Sequence, residues 1–276
     1  MLSASQMKLT YIFHSGFVLE CVRCIMVFDY WHDPSDVLSR FFHAKEQRPI
    51  YVFASHFHED HYNSKILEWR QLYPALQITY ILSKDILKRH RAKAEDADVW
   101  MVKGMTWQDS NIHVIATGSN DSGVSWIVEV DGRRIFHAGD LCNWYARFLA
   151  DEANVPETII SLEFGEIHPK AEEKQYLGEL KDVSRLCTTL TSLPDHKGRS
   201  VLPYFDFAMV PVDGRIGNGY TLGARQFIER FEVGLFVPMH FVASGFESAW
   251  RMAPFCEEKD IPFWSIQTEG EERTLD

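Results

Sequence analysis

Residues 50–63 read Ile-Tyr-Val-Phe-Ala-Ser-His-Phe-His-Glu-Asp-His-Tyr-Asn, and they set an apolar run against a loop crowded with ligand-type side chains. Three histidines and two acids fall within the six positions His56 to His61. The run from Ile50 to Ser55 is rich in aromatic and β-branched residues and reads as a buried strand. Loops at strand ends carry functional groups on a rigid scaffold. Imidazole and carboxylate are the usual ligands of zinc and similar divalent ions. A polar turn with surface histidines is the alternative reading. The spacing H-x-H-x-D-H beside a buried strand instead favours a metal site, because a bound ion offsets the cost of holding these groups together.

The rest of the chain is compatible with an enzyme of ordinary composition. Its 276 residues are 46% hydrophobic and 24% charged, which suits one large α/β domain spanning residues 1–276. No run approaches the roughly 20 apolar residues of a membrane span. The N-terminal MLSASQMKLTYIF lacks a basic segment followed by a long apolar one, so no secretory signal is read and a cytoplasmic location is the expectation. The formal net charge of −11 argues against a broad nucleic-acid-binding face. Five cysteines make an odd count, and a lone C-x-x-C (Cys21, Cys24) has no second pair for a structural zinc site, so packing or turn roles are expected.

Short β-type runs open the chain at 9–13, 16–20 and 25–29 and suggest a meander. A short helix is expected within 34–42, further helices after Asn63 and Ser83, and strands at 78–82, 112–117, 124–130 and 133–138. Asp131-Gly132 marks a hairpin turn. Helices are expected at 141–155 and 169–192, with a strand or its approach at 159–164. The C-terminal part alternates strand 207–212, helix 222–231, strand 234–238, helix 245–258 and strand 263–266. Strand-rich halves, each followed by helices, suggest two packed sheets with helices outside.

His56-Phe57-His58-Glu59-Asp60-His61 resembles the signature of the metallo-β-lactamase superfamily. That resemblance implies an α/β fold, a four-layer αββα sandwich of two mixed β-sheets with helices on the outer faces. It also implies a binuclear metal site and hydrolysis by a metal-activated water. Its other parts can be sought in the chain. Asp29, ending IMVFD, matches the family's early Asp, which helps order the metal loop; alone it would read as a turn residue. Asp140 in RIFHAGD looks like the carboxylate shared by both metals; alone it would read as the N-cap of a helix from Leu141. His240 in VPMHF looks like the last ligand. His56 and His58 then serve one ion, Asp60 and His61 the other, and Glu59 points away. His14, in HSGF, resembles a residue of the branch that includes ascorbate-phosphate lactonases, where it lies near the metals. A substrate contact or proton transfer is one reading of it; capping or packing is the other.

The pattern departs from the family between the H-x-H-x-D-H loop and Asp140, where a further His is usual. Ser119, Asn120 and Asp121 stand there instead. His113 begins the preceding strand, too far from its end at about 3.3 Å per residue. Asp121 is either a replacement ligand or a turn residue. The expected cofactors are one or two divalent ions, zinc first, manganese or iron as alternatives. The expected substrate is a small ester, lactone, amide or phosphodiester. Asp60 would orient the water, and His14 or His137 would serve the leaving group, although His137 also reads as packing. Arg215 in VDGRIG is either an anion-binding fork or a surface turn residue. A di-iron redox protein and a non-catalytic binding module on the same fold are the competing functions. A homo-oligomer is compatible with the sequence.

Overall fold

The computed structural model describes residues 6–44, 48–162, 164–194 and 201–275. Six strands follow in its first part: β1 (Met7–Phe13), β2 (Gly16–Glu20), β3 (Ile25–Phe28), β4 (Ile50–Ala54), β5 (Ile78–Ser83) and β6 (Val99–Met101). Next come β7 (Thr106–Gln108), β8 (Ile112–Gly118), β9 (Val124–Val130) and β10 (Arg133–His137), then the hairpin strands β11 (Ile159–Ser161) and β12 (Gly165–Ile167). The C-terminal part contributes β13 (Tyr204–Phe205), β14 (Phe207–Pro211), β15 (Glu232–Val233), β16 (Phe236–Met239) and β17 (Glu272–Leu275). One sheet has seven strands in the order β17-β1-β2-β3-β4-β5-β6, and the other six in the order β16-β14-β10-β9-β8-β7. Both are mixed: β3-β4-β5-β6 and β10-β14-β16 run parallel, and the other neighbours antiparallel.

Side chains alternate across a strand, and β3 and β4 show what that does here. Met26, Phe28, Tyr51 and Phe53 join the core between the sheets, where Phe53 meets Trp126 of β9 at 5.5 Å between ring centroids. Ile25, Val27, Ile50 and Val52 point the other way, onto Phe41, Phe42, Ile66 and Trp69 of the short helices outside. Strands covered on both faces read as continuous apolar runs, which is why IMVF and IYVFA carry no polar alternation. Over the second sheet, the helix Pro169–Leu190 buries Tyr176, Leu180, Val183 and Leu186. The expected four-layer α/β architecture is therefore present.

Several elements differ from expectation. Residues 141–155 contain only the 3₁₀ turns Ala146–Phe148 and Glu152–Asn154. The Asn120 side chain binds both the N–H and the carbonyl of Cys142, and that carbonyl is one that a helix from Leu141 would use. Residues 246–258 form three short turns (Phe246–Ala249, Trp250–Met252, Ala253–Glu258) in place of one helix. Residues 263–266 make a single bridge, Phe236 to Phe263, and no strand. The strands β6, β7 and β17 lacked a recognisable pattern, being three or four residues long and partly exposed. The Asp131-Gly132 hairpin is as expected, both residues having positive φ. All five cysteines are buried, and none is in a disulfide. Among the described residues, no helix is long and apolar enough to cross a membrane.

Candidate metal centre

The parallel strands end on one edge of the sandwich, and the ligand-type residues sit just beyond those ends. Asp29 follows β3, His56 follows β4, Asp140 follows β10 and His240 follows β16, while His14 lies in the two-residue turn between β1 and β2. Three of these residues hold positive φ without being glycine: His14 at 57°, Asp29 at 42° and His240 at 66°. Such backbone strain concentrates at functional sites. The His240 N–H donates to the His14 carbonyl at 3.1 Å, so the two strained turns are tied together.

Their side chains converge in two sets. Ligand atoms of His56, His58, Asp121 and Asp140 lie within 4.8 Å of one another, as do those of His14, Asp60, His61 and His240. Asp140 stands between the sets. Its Oδ2 is 3.2 Å from His56 Nε2, and its Oδ1 is 2.9 Å from His61 Nε2 and 3.2 Å from His240 Nε2. His14 Nε2 is 3.2 Å from Asp60 Oδ2. Glu59 lies outside, on the surface beside Arg91 at 3.3 Å.

A second layer of polar groups fixes which ring nitrogen faces the centre. Asp29 is fully buried and accepts from the Ser55 N–H at 2.7 Å, the Ser55 hydroxyl at 2.6 Å and His61 Nδ1 at 2.7 Å. Asp213 does the same for His240, with Oδ2 2.9 Å from Nδ1. Ser55 Oγ also lies 3.0 Å from His56 Nδ1. In each case Nδ1 is engaged outward and Nε2 is left for the centre, the arrangement that carboxylate-backed histidines give metal sites. Two glycines allow the crowding. A Cβ on Gly123 would come 2.0 Å from the Ser55 carbonyl oxygen, so only glycine lets the 119–123 loop press Asp121 toward His56. A Cβ on Gly139 would come 2.8 Å from the Ser55 side chain.

The donor set fits divalent ions. His14 Nε2, His61 Nε2, His240 Nε2 and Asp140 Oδ1 are buried and make no well-aligned hydrogen bond, although each nitrogen lies 2.9–3.2 Å from a carboxylate oxygen. Buried polar atoms are rarely left so, and four converging ones are accounted for by a cation between them. The charges agree. Burial alone would raise the Asp140 pKa, but His61, His56 and His240 hold it well below the carboxylate range. Burial opposes charge on His61 and His240, yet Asp140, with Asp29 and Asp213 respectively, raises both. Burial lowers the His14 pKa to about 4, with Asp60 opposing. Burial and then the neighbouring Asp140 raise Asp121, a like-charge conflict that a cation relieves.

The expected residues do not all arrive. His137 is fully buried with both ring nitrogens engaged by backbone, Nε2 2.9 Å from the Ser15 carbonyl oxygen and Nδ1 3.2 Å from the Gly139 nitrogen, so it has no atom for a leaving group. Its ring stacks on Phe28 at 5.2 Å. Arg215 lines the cavity above the centre but gives its fork to Asp213, Nη2 at 2.6 Å and Nε at 2.8 Å from Oδ2. Asn120 is committed to Cys142, and Ser119 Oγ accepts from the Asp121 N–H at 3.2 Å. Of that loop, Asp121 alone joins a ligand set. His113 pairs with Glu129 at 3.1 Å on the strand body. Asp213 and Ser55 were not singled out from the sequence. An acid directly after a buried apolar run, as in FAMVPVD, was the available signal for Asp213, the same one that marked Asp29.

Two mixed sheets thus carry two His/Asp sets that meet at Asp140 on one edge of the sandwich. The chain belongs to the β-lactamase superfamily: the family described as "Beta-lactamase superfamily domain" matches residues 8–157. The fold is similar to that of Igni18, a metallo hydrolase from the archaeon Ignicoccus hospitalis, at 14% identity and TM-score 0.58, over 98% of this chain and 99% of that one. It is also similar to the metallo-β-lactamase fold protein YhfI of Bacillus subtilis, at 12% identity and TM-score 0.56, covering 98% and 99%. CmlA, a diiron β-hydroxylase of Streptomyces venezuelae, matches at 13% identity and TM-score 0.54, over 98% of this chain and 54% of that one. No curated protein matches the sequence.

Proposed function

We propose that the chain is a binuclear metal-dependent hydrolase of small molecules. One observation carries the reading: the two oxygens of Asp140 face different ligand sets, as a shared carboxylate requires. His56, His58 and Asp121 would hold one ion, His61, Asp60, His240 and His14 the other, and Asp140 both. Zinc is the first candidate metal, since the donors are imidazole and carboxylate. When bound, such ions supply positive charge that lowers the pKa of water from 15.7 to about 7 and stabilises negative charge developing on a carbonyl or phosphoryl oxygen. The side chains do the rest. Asp60 is the most exposed member of its set, with 28% of its side chain accessible, and it lines the cavity. It is placed to orient a water and accept its proton, with His14 Nε2 3.2 Å from the same carboxylate. Asp29 and Asp213 keep His61 and His240 aimed inward.

Elemental analysis of protein purified without chelator, paired with hydrolysis of a generic lactone and of bis-nitrophenyl phosphate, tests the reading. Two ions per chain and turnover that vanishes in His61→Ala and His240→Ala are expected. Turnover surviving both changes defeats it.

A di-iron redox centre is the second reading, supported by Asp121 where the family usually has His. An oxygen donor there makes the first set harder and better suited to iron or manganese. Iron as the bound metal, with oxygen consumption and no hydrolysis, would favour it.

A further inference from the structure

A cavity of about 860 Å³ opens directly off the ligand sets. His58, Asp60, Asp121, Asp140 and His240 line it. Its apolar lining comes from Trp144, Tyr145 and Phe148 and from Ile160 and Phe164 of the β11–β12 hairpin. The apolar lining begins at the ligands themselves. The Trp144 indole N–H donates to the Asp140 carbonyl at 3.0 Å, which holds its ring edge-on to His240 at 5.3 Å. It ends at side chains that are poorly covered, Ile160 at 76% and Phe164 at 67% exposure. The hairpin forms a two-stranded sheet of its own, and its outer residue Ile167 is buried, so the scaffold is anchored while Ile160 and Phe164 are presented. Apolar area on a cavity wall gains about 25 cal/mol per Å² when a ligand covers it.

The charges on the rest of the lining are of both signs. Glu166, Glu172 and Arg147 line the same cavity, and the fork of Arg215 is given to Asp213. We propose that this cavity takes an apolar acyl or aryl chain, so that the substrate is a carboxylic ester, lactone or amide with a hydrophobic acyl part, and that Ile160 and Phe164 set the chain-length preference. The substrate class rests on the hydrolase reading; the apolar clasp does not.

Two series separate them, each measured on the protein carrying its metals. Calorimetric binding of n-alkyl hydroxamates from acetyl to decanoyl reads the clasp without turnover. Hydrolysis of p-nitrophenyl esters of the same chain lengths reads the substrate class. Hydroxamate affinity should rise about fourfold per methylene over the carbons that reach the hairpin, at ~0.8 kcal/mol per buried methylene. The double change Ile160→Ser, Phe164→Ser alters exposed side chains and should weaken the octanoyl member about tenfold or more while leaving the acetyl member unchanged. A flat wild-type series, or a steep one unchanged in the variant, overturns the clasp. A steep hydroxamate series with no ester turnover retains the clasp and overturns the hydrolase reading. Ester turnover without chain preference does the reverse.

Discussion

Asp213→Asn isolates the second ion from the first. Asp213 is buried, its Oδ2 is 2.9 Å from His240 Nδ1, and Arg215 grips the same carboxylate. Burial alone would raise the Asp213 pKa, but His240 and Arg215 bring it down to about 2, so the group is an anion throughout the physiological range. The change removes one charge behind His240 and leaves size and hydrogen-bonding shape nearly intact. Losing a carboxylate behind a ligating histidine typically costs 10–100-fold in metal affinity or activity, and each tenfold is about 1.4 kcal/mol. His240 belongs to the set with His14, Asp60 and His61, and no atom of Asp213 touches the set of His56, His58 and Asp121. The expected outcome is two-phase metal binding in which one phase weakens about 10–100-fold and the other is unmoved. Competition against a fluorescent chelator resolves the two phases, with melting in metal-free buffer as the check on folding. Equal weakening of both phases would mean that the sets do not act as separate sites. No weakening of either would mean that His240 is not a ligand, and the two-ion reading would fall with it.

The other outcomes concern neighbouring groups. Gly123→Ala places a Cβ against the Ser55 carbonyl at a φ of 65°, so it should move Asp121 and selectively weaken the first ion, the converse of Asp213→Asn in the same titration. Asp29→Ala strands three buried donors, the Ser55 N–H, the Ser55 hydroxyl and His61 Nδ1; at about 1–3 kcal/mol each the loss rivals the whole stability of a domain, and urea unfolding should find little folded protein. Glu129→Gln tests the anchor after the long helix, where Glu129 accepts from the Ser192 N–H at 2.8 Å and the Leu193 N–H at 3.0 Å beside the buried Arg134. Burial opposes ionisation of Glu129, but Ser192, His113 and Leu193 depress its pKa, so its contribution is present above the ordinary Glu range and fades as the pH falls through the folded value. The wild-type advantage over the variant in urea should therefore shrink on acidification, and a constant difference from pH 7 to pH 3 would refute the assignment.

What could be read from the sequence followed the range of the interactions. The strands IMVF and IYVFA are buried on both faces, and a local apolar run suffices to mark them. The H-x-H-x-D-H loop was legible because its six positions carry their own chemistry. Asp121 was not, and the reason is physical. Whether it points at a metal depends on Gly123 lying against Ser55, a contact between residues 68 positions apart along the chain. The segment after Asp140 failed for the same reason: its helical spacing was real, but Asn120, twenty-two residues upstream, claims the backbone of Cys142. Asp213 behind His240 and Asp29 behind His61 repeat one device at the ends of strands in different sheets. Each acid looks like a turn residue in its own segment, and its role exists only once the two sheets bring their edges together. The first layer of the site was thus written locally, and the layer that orients it was written in the packing.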